Sequence, residues 1–366
     1  MRNTTSTIAM KGGGYYSQHT QGAKDVIDNT ATLALDALAT MHIDQSARAF
    51  TIADYGAADG GTSVDMIRQL IGGIRARARD RAVSVIYTDL PRNDYSEVFR
   101  MIHGERDGIR SYTDDFENVF VMAAGTSFYQ QILPPQSVDF AFSATAMHWL
   151  SGKPGNLSDH VHAVGASGNE WQTFYEFAMN DWNTILVHRA AELVPGARLV
   201  MANFCIDEHG RYLGNTGGVN MFDTFNRLWG ALVVDGTITE KEYINTAFPQ
   251  FYKTVEQYCA PFNTDDSPVY QAGLRLESAH TRVVRCPYRA AFEQHGDIEQ
   301  FAVSYVPTLR SWSETVFLNG LDPTRPVAER QAIVDRFYAS YVDCVRTDPD
   351  GHAMDYVHIY IVAAKA

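Results

Sequence analysis

No run of about 18 consecutive apolar residues occurs anywhere in the chain, so no segment reads as a membrane-spanning helix. No apolar h-region follows Met1-Arg2-Asn3-Thr4-Thr5, and a soluble cytoplasmic protein is the expectation. An excess of basic residues is also missing: 30 Lys and Arg stand against 43 Asp and Glu, a net charge of −13. That balance argues against nonspecific nucleic-acid binding and against an anionic membrane surface. It leaves room for an anionic small substrate, which responds to the local field. Cysteine is scarce, and Cys205, Cys259, Cys286 and Cys344 form no C-x-x-C pair. A structural zinc site is therefore not expected, and reduced thiols are the default. His148, His160 and His162 have no carboxylate or cysteine at ligand spacing, so no metal site is expected there either.

The G-x-G-x-x-G fingerprint of a dinucleotide site is absent as well. In its place stands Asp54-x-Gly56-x-x-x-Gly60. The apolar run at 50–53 reads as a buried strand ending at Asp54, and 64–71 has helical spacing. A strand, a glycine-rich turn and a helix N-terminus bring a ligand against the backbone. An acid at the strand end suits a cationic ligand better than a pyrophosphate, and S-adenosylmethionine, with its ammonium and sulfonium, fits. An ordinary strand-turn-helix without a ligand is the plainer alternative.

Other strands follow at 83–89, 118–124, 137–143, 197–204, 281–286 and 356–362, with helical segments between the first four. The pattern implies an α/β fold with a largely parallel sheet. Asp54, Asp89, Ser127 and Ser143 end successive strands and so share one ligand-binding edge. Asp89 is placed to take ribose hydroxyls, or else to cap the next helix. The polar loop 151–169 reads as a flap. Residues 170–193 form a long helix, 267–278 is helical, and 297–345 is helical again. The aromatic-rich segments 205–266 and 297–345 would form a cap over the ligand edge, with most of their aromatics as cap core. The 366 residues divide into an arm and lid helix (1–49), a cofactor-binding core (50–204), a helical cap insertion (205–266), core (267–286), helical cap (287–350) and a last core strand (351–366).

With these pieces in place the chain resembles the SABATH family of S-adenosylmethionine-dependent methyltransferases over nearly its whole length. The resemblance rests on Met10-Lys11-Gly12-Gly13, Ile52-Ala53-Asp54-x-Gly56, Asp89-Leu90-Pro91-x-Asn93-Asp94 and Gly125-x-Ser127-Phe128-Tyr129. Residues 143–151, ending Trp149-Leu150-Ser151, Val194-Pro195-Gly196 and the stretch from Asp235-Gly236-x-Ile238-x-Glu240 to Pro249 add to it. It implies a Rossmann-like class I methyltransferase sheet, mostly parallel with a final antiparallel hairpin strand, under a helical cap. It implies that Tyr16, Thr20, Asp54, Gly56 and Asp59 lie near the methionine end of S-adenosylmethionine. Asp89 and Leu90 would meet the ribose and adenine, Ser127 and Phe128 the adenine, and Ser143 the sulfonium side.

Trp149 would hold a substrate carboxylate, with His148 as a second donor or a structural histidine. The family's clamp glutamine falls on Ala23, so Gln18 is one substitute. Lys11 would attract the anion or remain a solvated arm residue. Thr145, Met147, Met221, Phe222, Phe225 and Trp312 would form the substrate wall. Thr145 replaces an aromatic that usually flanks the substrate, which points to an aliphatic acid, as in the bacterial fatty-acid branch. The expected reaction is methyl-ester formation on a small carboxylic acid, without nucleic acid or membrane as partner, and with a homodimer left open. The alternatives are an aromatic acid, N-methylation of a heterocycle, and, from another class, a nicotinamide-dependent oxidoreductase.

Overall fold

Strand β1 (Phe50–Tyr55) is buried along its whole length. Its side chains alternate between two faces, as a strand's period of two requires. Phe50 and Ile52 join one apolar layer, and Ala53 and Tyr55 the other. The computed structural model describes residues 21–45, 48–106 and 108–366, without the side chains of 21–25. The expectations for Lys11, Tyr16, Gln18 and Thr20 lie outside the described residues.

On either side of β1 lie β2 (Val83–Asp89) and β4 (Val138–Ala144), both parallel to it. Beyond β2 is the edge strand β3 (Val119–Gly125), and beyond β4 is β5 (Leu193–Ile206), again parallel. The two-residue β6 (Lys253–Thr254) pairs with the end of β5. A hairpin-like pair, β7 (Leu274–Val284) and β8 (Tyr356–Lys365), closes the sheet, with β8 antiparallel to both β5 and β7. The order is β3-β2-β1-β4-β5-β8-β7. Chain direction across the sheet reverses between β1 and β4, and the crevice beyond their C-terminal ends is where open α/β sheets bind ligands.

Helices α1 (Gln21–Thr40) and α2 (Val64–Arg75) cover one face. Ile67, Leu70, Ile71 and Ile74 recur at helical spacing and pack with Leu38 on Ile52, Val83 and Phe140. A short helix α3 (Tyr95–Ile102) follows β2. The other face is covered by α4 (Gly168–Glu192), whose Trp182, Ile185 and Leu186 pack on Ala53, Ala141 and Leu199. The cap is helical: α5 (Met221–Val234), α6 (Glu240–Asn245), α9 (Pro287–His295), α10 (Ile298–Gly320) and α11 (Val327–Thr347), whereas α7 (Val255–Asn263) and α8 (Pro268–Gln271) pack with α4 on the sheet through Tyr258, Phe262 and Val269. Its centre is aromatic, with Phe225, Trp229, Phe248, Phe317 and Phe337 all buried. Among the described residues no helix is long and apolar enough to cross a membrane.

The α/β fold, the mostly parallel sheet and the antiparallel terminal strand agree with expectation. Three local readings need correction. Residues 267–278 are not one helix: after the four-residue α8 the chain is already strand from Leu274. No helix separates β3 from β4 among the described residues, where Pro134 and Pro135 interrupt the backbone hydrogen-bond donors a helix needs. The segment 297–345 is two helices, parted by a turn containing Pro323 and Pro326.

Candidate active site

The turn after β1 is held in place by the end of β2. Gly56 and Ala57 donate backbone N–H groups to the Thr88 carbonyl at 2.8 and 3.1 Å. Ala58, itself at φ +52°, donates to Asp89 Oδ2 at 2.8 Å, and Leu90 N–H donates to Asp89 Oδ1 at 2.7 Å. Asn93 closes the ring by donating from Nδ2 to the Ala58 carbonyl at 2.6 Å. Gly56 has φ +81°, and a Cβ there would stand 2.5 Å from the Ala146 Cβ. Only glycine lets the β1 and β4 turns approach this closely.

Asp54 is buried, and its Oδ2 accepts from the Ser63 hydroxyl at 2.7 Å. Burial pushes its carboxyl up to about 7, against the pull of Ser63 and with the Asp89 charge adding to the rise. Among the described residues no cation offsets that burial, so the site would favour a positively charged group. Burial raises the Asp89 carboxyl too, while the N–H groups of Leu90 and Ala58 and the Arg92 charge pull it back. Each Asp89 oxygen takes one backbone donor and keeps a lone pair, which leaves it able to accept ribose hydroxyls. The buried Asp59 caps Gly61 N–H through Oδ1 at 3.2 Å. Ser143 Oγ donates to the Tyr55 carbonyl at 2.8 Å and so ties β4 to the β1 turn. These donors and acceptors, with a tight glycine turn between them, fit S-adenosylmethionine.

The loop after β3 carries Ser127 and Phe128, and its anchor was not visible in the sequence. Arg189, fully buried near the end of α4, donates to the carbonyls of Phe128 and Gln130 at 2.8 Å each. It also pairs with the buried Glu192 at 2.8 Å through both Nε and Nη2. Glu192 in turn accepts the Tyr55 hydroxyl and the N–H groups of Ile132 and Leu133. One ion pair thus fixes the β3–β4 loop against β1 and α4.

Past β4 the chain enters the seam between core and cap. Thr145 sits at φ +55°, which a β-branched residue rarely adopts. Its N–H donates to the Ala202 carbonyl at 2.7 Å, and its Oγ1 lies 3.1 Å from His358 Nε2. Trp149 pairs with Gln250 in an isolated antiparallel bridge, and its carbonyl accepts the Tyr129 hydroxyl. The indole is half-buried, and among the described residues nothing accepts its N–H. His148 is buried beside it, ring centroids 5.8 Å apart. Burial, with His358, Lys253 and His162 adding, pushes the His148 ring well below the usual histidine range. Its Nδ1 has no hydrogen-bond partner among the described residues, so it is not a satisfied structural histidine. Lys253, also buried, faces the rings of Tyr258 and Trp182 at 5.3 and 6.0 Å, and burial pushes its ammonium down to about 8.

Phe222 and Trp312 meet edge to face at 6.3 Å and continue the aromatic wall. Phe225 stands behind them in the cap core, against Phe248, Phe317 and Phe337. Met221 is also buried in that core. Met147 packs elsewhere, with Ala53, Tyr55 and Trp182 on the α4 face of the sheet, because Asn203 Oδ1 holds its N–H at 3.1 Å and turns the chain that way. His162, Gln250, Tyr252 and Lys253 belong to the same neighbourhood as Trp149, yet no local pattern in the sequence marks them.

Comparison with known proteins identifies the family and the fold. The chain is 25% identical over 307 residues to indole-3-acetate O-methyltransferase 1 of Arabidopsis thaliana, covering 74% of this chain and 77% of that one. It is 23% identical over 269 residues to loganic acid O-methyltransferase of Catharanthus roseus, covering 68% and 70%. A solved structure of loganic acid methyltransferase with SAH superposes with a TM-score of 0.76 over 98% of both chains at 19% identity, which shows a common fold. The family described as SAM dependent carboxyl methyltransferase matches residues 5–261. The chain therefore belongs to that family, the SABATH methyltransferases, whose members use S-adenosylmethionine to methylate carboxyl groups.

Proposed function

We propose that this enzyme converts the carboxylate of a small aliphatic acid to its methyl ester, with Trp149 as the group that orients the acid. The half-buried indole N–H carries this reading, because it has no acceptor among the described residues and stands where the β4 end meets the cap. An indole donates and cannot accept, which suits an anion and would not hold a protonated amine. His148, neutral and with a free ring nitrogen, presents a second polar contact beside it.

When bound, S-adenosylmethionine supplies a sulfonium methyl for in-line SN2 transfer and departs as S-adenosylhomocysteine. Asp54 would face its ammonium, Asp89 and Leu90 its ribose and adenine, Ser127 and Phe128 its adenine, with Gly56, Asp59 and Ser143 around the methionine end. Residues of the chain need supply no general base, since a carboxylate with a pKa of about 4 is ionised at pH 7. Their task is to orient the oxygen and exclude water, which contributes up to roughly 7–11 kcal/mol. Support for an aliphatic substrate comes from Thr145, whose small side chain is tied to His358 where an aromatic would sandwich a benzene ring. Phe222 and Trp312 supply the apolar wall.

Methyl-labelled S-adenosylmethionine incubated with a panel of aliphatic acids, benzoates and nitrogen heterocycles tests this. Label released by mild alkali, as a methyl ester requires, with aliphatic acids preferred, is the expected result. Alkali-stable label on a heterocycle would replace carboxyl transfer with N-methylation. A preference for benzoates would keep the carboxyl chemistry and remove the Thr145 argument.

A further inference from the structure

His162 lies in the polar loop between β4 and α4, just before the 3-10 turn Ala163–Gly165. Its side chain is fully buried. The imidazole stacks on Phe222 with ring centroids 4.0 Å apart and planes inclined by 27°. It also faces Tyr252 at 4.9 Å. Tyr252 faces His148 at 6.0 Å, and His148 faces Trp149 at 5.8 Å. One aromatic wall therefore runs from the Trp149 indole into the cap, with His162 at its deeper end.

Backbone contacts fix the tautomer of His162. Val164 N–H donates to Nδ1 at 3.1 Å, so Nδ1 is an acceptor and the neutral ring carries its proton on Nε2. Burial, with the His160 charge adding, holds the ring well below the usual histidine range, which keeps it neutral. Nε2–H is then a buried donor, and among the described residues it has no hydrogen-bond partner. The Gln250 carboxamide is close enough to favour a proton on the ring. Its Oε1 takes the Tyr252 hydroxyl at 3.2 Å and keeps a second lone pair, yet no hydrogen bond of good geometry joins it to His162.

The loop holds this donor firmly. His162 N–H donates to His160 Nδ1 at 3.0 Å, and His160 Nε2 lies 3.2 Å from Asp223 on α5. A Cβ on Gly165 would strike the His160 ring at 2.4 Å. A phenylalanine at 162 would stack on Phe222 in the same way and remove the unpaired Nε2–H, though it would also take the acceptor from Val164 N–H. Buried polar groups are nearly always paired, and an unpaired one in a binding wall marks a place for a ligand atom.

We propose that His162 Nε2–H reads the substrate, and that the acid carries a second oxygen on its aliphatic body, as a hydroxyl, ketone or ester. The inference rests on carboxyl transfer at Trp149 and adds the class of acid. An unsubstituted hydrocarbon chain would bury the donor without a partner, whereas an oxygen at the matching position would satisfy it.

The test compares unsubstituted alkanoic acids with oxo- and hydroxy-alkanoic acids of the same length, the oxygen walked along the chain. Wild type, His162→Phe and His162→Gln are assayed side by side. In wild type at least one oxygen position should raise kcat/KM by roughly tenfold or more over the unsubstituted acid. His162→Phe should bring that ratio close to one while still turning over unsubstituted acids, and His162→Gln, which keeps a donor, should retain part of it. Equal turnover of every matched pair by wild type overturns the inference alone, as does a ratio that survives in His162→Phe. Absence of methyl transfer to any acid overturns the carboxyl reading and this inference with it.

Discussion

Ala58 N–H and Asp89 Oδ2 are 2.8 Å apart, and this bond adds a side-chain tie to the backbone bonds that hold the glycine turn after β1 against the end of β2. Asp89 thereby shapes the turn, and in the proposed site its remaining lone pairs would take the ribose hydroxyls. Asp89→Ala should weaken S-adenosylmethionine binding by about 1–3 kcal/mol, the range for lost hydrogen bonds to a charged acceptor. Titration calorimetry reads this directly, and unchanged affinity would remove Asp89 from the site.

Asp54 predicts a pH dependence of cofactor binding. Its carboxyl lies at about 7 in the folded protein and near the ordinary value of about 3.9 in an unfolded chain. A raised folded value means that the stability Asp54 contributes is fully present below the unfolded value and is lost as pH rises through about 7. Binding an ammonium requires the ionised form. Affinity should therefore rise as pH goes from about 6 to about 8, by up to roughly tenfold per unit on the acid side. Asp54→Asn should flatten that dependence and bind more weakly at the upper end. Parallel slopes in variant and wild type would assign the proton to another group.

Arg189 predicts a coupling between stability and the adenine side of the site. Arg189→Met keeps much of the volume and leaves Glu192 buried without its cation. The expected loss is about 3–5 kcal/mol of unfolding free energy, measured by denaturant titration. The carbonyls of Phe128 and Gln130 lose their donor as well, so S-adenosylhomocysteine should bind more weakly in variant that remains folded. A loss below about 1 kcal/mol would mean that the pair is replaced by other contacts.

The sequence disclosed what is local. The apolar runs of β1, β2 and β4 are buried strands and read as such, and the acids and glycines at their ends sit where strand-end chemistry requires. The end of the edge strand β7 reads as a strand from residue 281, but its first part reads wrongly as helix because Arg275, Glu277 and His280 line a half-exposed stretch without an apolar run. The candidate site was legible where its residues end successive strands, as Asp54 and Asp89 do, or neighbour one another, as His148 and Trp149 do. Arg189, His162, Gln250, Lys253 and His358 reach the same region from separate elements, and each is an unremarked residue in its own segment. Met147 lies two residues from Trp149 and yet packs beneath the sheet, its N–H held by Asn203 just past the positive φ of Thr145.

Trp149→Phe tests the central claim most directly. The substitution keeps the ring in the seam and deletes the donor. With a free acid as substrate, kcat/KM should fall roughly 10- to 150-fold, corresponding to about 1.5–3 kcal/mol for a hydrogen bond to a charged group. Cofactor affinity, measured on the same preparation, should hardly change. Full activity in Trp149→Phe would contradict a carboxylate held at the indole.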